Sequence, residues 1–325
     1  MGLIDKIKNV NIVDKIKSVN VLDKIKKDNI VEKIKNLNIG QVDENADIKK
    51  LTTYHVGGIA KAVVYPNDVY GLIDLLKLLK ENNVRYKVIG RGSNLIFNSG
   101  LFDGILIKLD KFDDLEIDGN EIRVGAGFQL IKLATRLSRI GYTGIEFATG
   151  IPGSVGGAVF MNAGAYKSDM GYIIKCVKVL TPDLRVIELT NYDLDFHYRT
   201  SFLQKNPGYI CIEATLILDK GDPDTIMQLV EERKKRRIET QPLEYPSAGS
   251  VFRNPEGDYA GRLIEEAGYK GKKIGGAMVS EKHANFIINF DNATGEDVKK
   301  LIREIQSVVK EKYNIELKVE QEFVE

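Results

Sequence analysis

Short apolar strands interleaved with amphipathic helices, with hairpin signals between some of them, constrain this chain more than any other feature. KAVVYP (61–66) reads as a strand, and Asn67 and Asp68 then offer caps for a helix, VYGLIDLLKLLKENN, in which Val69, Ile73, Leu76 and Leu79 recur at helical spacing. YKVIG (86–90) and GILIKL (104–109) are further strands. LEID and EIRVGAG flank Asp118-Gly119-Asn120, a turn sequence that joins antiparallel neighbours. FQLIKLATRLSRIG (128–141) is helical and stops at a glycine able to take a left-handed conformation. Strands are expected near 173–181, 185–189 and 209–218, and helices near 222–239, 258–267 and 295–312. A doubly wound parallel sheet needs a helix between successive strands, and the hairpins break that rhythm. The expected class is α+β. At 325 residues the chain is long enough for two or three cores, each of about 100–200 residues, so a cleft between domains is expected.

Residues 1–40 are a different kind of sequence. LIDKIKNVN, IVDKIKSVN, VLDKIKKDN and IVEKIKNLN follow one another as an internal repeat. Within a unit the apolar positions 1, 2, 5 and 8 fall on one arc of a helix. A nine-residue advance is about two and a half turns, so the next unit's stripe would point the opposite way in a straight helix. Either both faces bind something or the helix bends at Asn11, Asn20 and Asn29. We expect an accessory amphipathic arm outside the core; the excess of lysine leaves open a membrane-surface or protein partner for residues 1–40.

Composition excludes several classes. A net charge of +1 gives no global case for nucleic-acid binding. No apolar run approaches the roughly 18–20 residues that cross a bilayer. Asp5, Lys6 and Lys8 follow Met1 with no long apolar stretch, which reads against a secretory signal and for a cytoplasmic location. Cys176 and Cys211 lie in strand-like apolar runs and read as small buried hydrophobes. His55, His197 and His283 are far apart, without metal-ligand spacing, so no metal site is expected.

Three loops dense in small or polar residues mark where chemistry is expected. Gly90-Arg91-Gly92-Ser93-Asn94 directly follows an apolar strand; bare backbone N–H groups there suit an anionic phosphate, although a plain turn has the same composition. It is neither a dinucleotide fingerprint nor a Gly-Lys-Ser/Thr phosphate loop. Thr149-Gly150-Ile151-Pro152-Gly153-Ser154-Val155-Gly156-Gly157 runs on to Ala163, Gly164 and Tyr166, a string of small residues that can lie against a flat ring or a pyrophosphate, or can pack tightly against a neighbouring element. The third loop, Pro246 to Pro255, gathers Ser247, Ser250, Arg253 and Asn254 in ten residues. Arg199 lies in FHYRTS (196–201), between aromatic residues and hydroxyls.

Taken in order, GRGSNLIF, GIPGSVGGAVFMNAGAY, FHYRTSF, PSAGSVFRNP and AGYKGKKIGGAMVSEKHANFIIN make the chain from about Leu51 to Glu325 resemble the UDP-N-acetylenolpyruvoylglucosamine reductase family. The resemblance implies an FAD-binding domain of the vanillyl-alcohol-oxidase (PCMH) type, with two subdomains, and a smaller α+β substrate domain. Such a domain holds FAD without a dinucleotide fingerprint. We expect the arm at 1–40, the FAD-binding domain at 41–220 and the substrate domain at 221–325. The family's active-site arginine, serine and glutamate fall on Arg199, Ser250 and Glu320, the last on the C-terminal strand. The tail departs from the family pattern: it reads LKVEQEFVE, and Glu322 stands where arginine is common. With 70 positions between Ser250 and Glu320, the chain resembles the shorter class of the family, which lacks a tyrosine-bearing insertion.

The resemblance further implies non-covalent FAD, NADPH as hydride donor and a UDP-sugar enolpyruvyl ether as substrate. Cofactor contacts are expected from Gly90, Arg91, Gly92, Ser93, Asn94, Thr149, Gly150, Pro152, Gly153, Ser154, Gly156, Gly157, Ala163 and Gly164. Tyr166, Arg253 and Asn254 are candidates for the nucleotide-sugar. Two rival readings are an oxidase of the same fold, with FAD tethered through His55, and a non-catalytic scaffold that works through its repeats.

Overall fold

The structure, a computed structural model, describes residues 29–325. Two sheets build the larger part. The first has the order Gly40–Asp47, Ile59–Pro66, Leu101–Lys108, Tyr86–Ile89, with the first pair antiparallel and the other two pairings parallel. The second is antiparallel throughout, in the order Val186–Thr190, Ile174–Leu180, Ile210–Ile217, Glu121–Gly125, Leu115–Asp118. The last two strands form the expected hairpin, and Gly119 takes the left-handed conformation its turn requires, φ 60°. With hairpins beside parallel pairs, the chain is α+β.

Helix Val69–Glu81 starts at Asp68, whose carboxylate accepts from Gly71 N at 2.8 Å. Its inward face is Leu72, Leu75, Leu76 and Leu79, while Val69 and Ile73 are only partly buried at its margin. That face joins Ala62, Val64, Ile105 and Ile107 of the first sheet, and Leu130, Leu133 and Leu137 of helix Leu130–Arg139 and Val124, Ala214 and Leu216 of the second sheet belong to the same core. Helix Pro223–Thr240 packs on Leu130–Arg139 and on the 3-10 turn Glu146–Gly150, so its end sits on this part of the molecule.

A second core lies C-terminal to that helix. Strands Lys273–Ile274, Ala277–Val279 and Ile287–Asn289 form an antiparallel sheet against helix Gly295–Tyr313. Thr294 and Asp297 close that helix's first turn with a reciprocal capping box. Val298, Leu301, Ile302 and Ile305 join Val279, Ile287, Val251 and Phe252 in this core, and Tyr54, Val56 and Ile96 enter it from the N-terminal part. The chain then returns: Glu322–Val324 pairs in parallel with Leu95–Phe97. Glu320 was expected on this strand; it lies two residues ahead of it, where Val319 bridges Phe252 and Glu320 N donates to Val251 O at 2.8 Å.

The fourth repeat unit corrects the reading of an arm that ends at residue 40. Ile30–Asn36 is a helix, capped by Asn29, whose side chain accepts from Val31 N at 3.0 Å. It packs on helix Val69–Glu81 and strand Gly40–Asp47, and Ile30, Val31 and Ile34 are part of the main core. Lys33 donates to Asn82 at 2.8 Å, and Lys35 pairs with Glu32 and Glu44. The stripe is shorter than the repeat suggests: Ile34 is fully buried, whereas Leu37, position 8 of the unit, is 38% exposed at the C-cap. The first two units and all of the third except its last residue, Asn29, lie outside the described residues.

Candidate active site

The two glycine-rich loops meet. Gly90–Asn94 leaves strand Tyr86–Ile89, and Ser154 caps the short helix Val155–Met161 by accepting from Gly157 N at 3.3 Å. Ser93 Oγ donates to Pro152 O at 2.7 Å. A methyl on Gly90 would lie 2.5 Å from Ser154 Oγ, so one loop rests directly on the other. Beside them opens a cleft of about 630 Å³, lined by Gly90 through Asn94, Pro152, Gly153, Ser154, Gly156, Gly157, Ala163 and Gly164.

The glycines of these loops divide by what surrounds them. Gly92 is left-handed at φ 65° and its missing Cβ would stand 2.2 Å from Leu51 O; Gly164 would meet Ser168 O at 2.4 Å. These two are glycine for the fold's sake. At Gly153 and Gly157 the nearest atoms to such a methyl are the hydroxyls of Ser93 and Ser154, at 3.6 and 3.4 Å, and otherwise the space is the cleft. Backbone left bare toward an opening of this kind fits a flat or anionic group that approaches closely. Thr149 and Gly150 are not in the lining: Thr149 Oγ1 donates to Glu146 O, and Gly150 lies under the side chain of Arg237.

Arg199, Ser250 and Glu320 converge on the cleft from three distant segments. Arg199 sits in a tight turn closed by reciprocal bonds between His197 and Thr200, with φ 56°. A left-handed non-glycine residue costs about 1–2 kcal/mol, so the surroundings must hold it. They do so at both ends: Nε donates to Glu320 Oε1 at 2.7 Å, Nη2 donates to Gly164 O at 2.7 Å, and Gln204 Nε2 donates to Arg199 O at 3.1 Å. Two contacts fix the guanidinium plane and leave its other N–H groups free for an anion. The Glu320 side chain is 14% exposed. Burial raises its carboxyl above the ordinary value, against the opposing pull of Arg199 and Arg253.

Ser250 is carried on a loop that the tail of the chain holds in place. Gln321 Nε2 donates to Ala248 O at 3.1 Å and to Gly249 O at 3.3 Å, so the residue after Glu320 fastens the residues before Ser250. Asn94 Nδ2 donates to Glu320 O at 3.1 Å, tying the first glycine loop to the same tail. Glu322, which departs from the family pattern, pairs with Lys87 at the cleft edge.

The three residues singled out for the nucleotide-sugar do not line the cleft. Tyr166 donates to Arg233 O at 3.1 Å with the Arg233 guanidinium over its ring; Asn254 Oδ1 accepts from Ala260 N at 3.1 Å; Arg253 Nη1 donates to Thr200 Oγ1 at 3.3 Å. Arg253 nevertheless acts on the site, because its charge reaches Glu320. His55 also lies outside the lining, and the Cys211 thiol, which does line it, is pushed by burial up to about 12. A thiol held that high is not a thiolate nucleophile at neutral pH. Residues that the sequence reading passed over are Gln204, Gln321, Arg237 and Gln241.

Comparison with known proteins places these loops in context. Residues 60–190 match a family described as an FAD binding domain, and residues 241–324 match the UDP-N-acetylenolpyruvoylglucosamine reductase C-terminal domain. The UDP-N-acetylenolpyruvoylglucosamine reductase of Halalkalibacterium halodurans is 48% identical over 285 residues, 87% of this chain and 94% of that one. That of Bacillus subtilis is 44% identical over 281 residues, 86% of this chain and 93% of that one. The crystal structure of the corresponding Thermus caldophilus reductase superposes with a TM-score of 0.75 at 33% identity, covering 88% of this chain and 98% of that one.

Proposed function

The chain belongs to the UDP-N-acetylenolpyruvoylglucosamine reductase family, and from that premise we propose that Arg199, Ser250 and Glu320 carry its reaction in the cleft described above. The reaction is the FAD-dependent reduction of UDP-N-acetylglucosamine enolpyruvate to UDP-N-acetylmuramate, a step of peptidoglycan synthesis. The observation that supports these roles is the meeting of the three residues at one cleft whose other wall is bare glycine backbone.

FAD, when bound, would supply the hydride chemistry between NADPH and the terminal carbon of the enolpyruvyl group. Reduction at that carbon would spread negative charge onto the substrate carboxylate. Arg199, held by Glu320 and Gly164, stabilises that charge with a guanidinium that has no reorganisation left to make. Ser250 Oγ gives its proton to the adjacent carbon; a serine is a weak acid, so the strongly basic carbon and a fixed loop are both needed. Glu320 keeps Arg199 in its left-handed turn and oriented. Backbone at Gly153 and Gly157, left bare at the cleft, would hold non-covalent FAD.

We assign the cofactor to 41–220 and the UDP-sugar chiefly to 221–325, with helix Pro223–Thr240 as a shared wall. No helix among the described residues is long and apolar enough to cross a membrane. NADPH and a UDP-sugar are both cytoplasmic metabolites, and we place the enzyme there. A membrane-surface or protein partner remains a reading for residues 1–28 alone, since the fourth repeat is committed to the core.

An absorbance spectrum of the purified protein tests the assignment, followed by NADPH addition with and without the UDP-sugar. A flavin spectrum that NADPH bleaches and the enolpyruvyl substrate restores is the expected result. A colourless protein that takes up no FAD on titration would sink it.

A further inference from the structure

A serine reaches with a single rotatable bond, so the direction of Ser250 Oγ follows from the backbone that carries it. On the N-terminal side that backbone turns at Gly249, φ 72°, where nothing lies within 4 Å of the position a Cβ would take. Packing does not hold the turn there. Gln321 grips the carbonyls before Ser250; beyond Ser250 the loop is held by Asn285, a residue that the steps above do not use.

Phe252 faces Val319 of the tail across an antiparallel bridge, with Arg253 N donating to Lys318 O at 2.9 Å and Glu320 N donating to Val251 O at 2.8 Å on either side. In that arrangement the N–H and C=O of Phe252 itself point away from the tail. Asn285 meets both: its Oδ1 accepts from Phe252 N at 3.0 Å, and its Nδ2 donates to Phe252 O at 2.8 Å. Its backbone carbonyl accepts from Val251 N at 2.9 Å. A side-chain amide presents the same C=O and N–H as a peptide unit, so one asparagine stands where a neighbouring strand would lie. Asn285 is 4% exposed and Phe252 1%, so both bonds are buried. The amide is itself held in place, because Asn285 N donates to His283 Nδ1 at 3.2 Å.

We propose that Asn285 is a positioning residue for proton delivery: by completing the open edge of Phe252, it fixes the segment that aims Ser250 and keeps that segment in register with Glu320. The proposal rests on the reading of Ser250 as proton donor. Buried backbone groups left unpaired cost the full penalty of their desolvation, so without Asn285 the segment shifts to find other partners and Ser250 Oγ moves with it. A displacement of about 1 Å is enough to cost on the order of a hundredfold in rate. Asn285 does not line the cleft, so reduction of FAD by NADPH is left alone.

The test compares full-length, flavin-loaded Asn285→Leu and Asn285→Asp with wild type and with Ile302→Val, which opens a cavity in the same core. Amide hydrogen exchange at Val251 and Phe252 should rise in Asn285→Leu and not in Ile302→Val. In stopped flow, NADPH should reduce the flavin of every variant at close to the wild-type rate. Reoxidation by the enolpyruvyl substrate should slow about tenfold to a hundredfold in Asn285→Leu, with a larger solvent deuterium isotope effect. Asn285→Asp supplies its own rescue. Ionised, the new carboxylate sets an oxygen against Phe252 O; protonated, it donates there again, so reoxidation should recover toward wild type as pH falls. Asn285→Leu keeps the neighbouring His283, Arg253 and Glu320 and should show no such recovery; if it does not fold, the pH response of Asn285→Asp decides. Unchanged exchange at Phe252, wild-type reoxidation in folded variants, equal slowing of both half-reactions, or no recovery of Asn285→Asp at low pH would overturn the proposal alone, provided that Ser250→Ala slows reoxidation. If Ser250→Ala leaves reoxidation intact, the assignment of Ser250 falls and the proposal with it.

Discussion

Replacing Ile34 with alanine tests whether the last repeat unit belongs to the folded core. Ile34 is fully buried in the cluster that also holds Leu72, Leu75 and Leu79. Removing a buried isoleucine down to alanine costs roughly 2–5 kcal/mol, the higher figure where the site cannot collapse. For a chain of this size each kcal/mol lowers the melting midpoint by about 2 °C, so the expected fall is roughly 4–10 °C. Leu37→Ala is the control: it occupies the same apolar stripe in sequence but is 38% exposed, and should move the midpoint by no more than about 1 °C. Thermal scans of the flavin-loaded protein read both. A chain starting at Gly40 should melt earlier than the full chain because the face of helix Val69–Glu81 is uncovered. If Ile34→Ala and Leu37→Ala behave alike, or the Gly40 start is as stable as the full chain, the unit is an appendage and the packing argument fails.

Ser250→Ala should leave flavin reduction by NADPH nearly intact and slow reoxidation by the enolpyruvyl substrate by about a hundredfold or more; equal slowing of both half-reactions in stopped flow would mean that Ser250 only shapes the site. Gly157→Val should keep the apoprotein folded, since only Ser154 Oγ lies near, but reduce FAD affinity by at least about tenfold as the side chain enters the cleft. Gly92→Ala should destabilise the fold itself, through φ 65° and the Leu51 carbonyl, so a stable, cofactor-poor Gly92→Ala protein would contradict the division of glycines made above. For Glu320 the sign follows from burial raising its carboxyl. The stability it contributes is present below its ordinary value of 4.5 and is lost as pH rises through the raised value. The melting advantage of Glu320→Gln over wild type should therefore grow between pH 4 and pH 7, and an advantage that shrinks over that range would refute the assignment.

The elements with an apolar period or a clear start signal were legible in the sequence to within a residue or two: helices at 69 and 295, the helix that Asp222 and Pro223 open, the hairpin at Gly119, and the strands of the second sheet. Strand Gly40–Asp47 was not, because GQVDENAD carries its structure in backbone pairing at a sheet edge with Val42 as its one large apolar side chain. The convergence of Arg199, Ser250 and Glu320 was read from motif resemblance, which says nothing of Gln321 or Gln204. Their work is to fill backbone carbonyls, and any polar residue looks the same in a string of letters. Arg237 shows the limit most clearly. In EERKKRRIET it is one of a run of charges on a helix that reads as solvated, and only the packing of that helix turns Arg237 inward while Arg236 stays exposed. Asn254 and Tyr166 err in the opposite direction: their polarity is spent locally on Ala260 N and Arg233 O.

The pairing of Glu322–Val324 with Leu95–Phe97 has a consequence for how the enzyme comes to life on the ribosome. The bond from Asn94 to the Glu320 carbonyl spans 226 residues, and the strand pairing beside it spans a similar distance. The first sheet and the two glycine-rich loops can be laid down while the chain is still emerging, because their partners are already made. The parallel seam cannot. Until the tail arrives, strand Leu95–Phe97 has an open edge, Asn94 lacks its acceptor, and the loop carrying Ser250 is without the amide that fastens it. A nascent chain can thus have the shape of a flavoprotein before it has an active site, and the step that ends its exposure to edge-to-edge association is the same step that arms it.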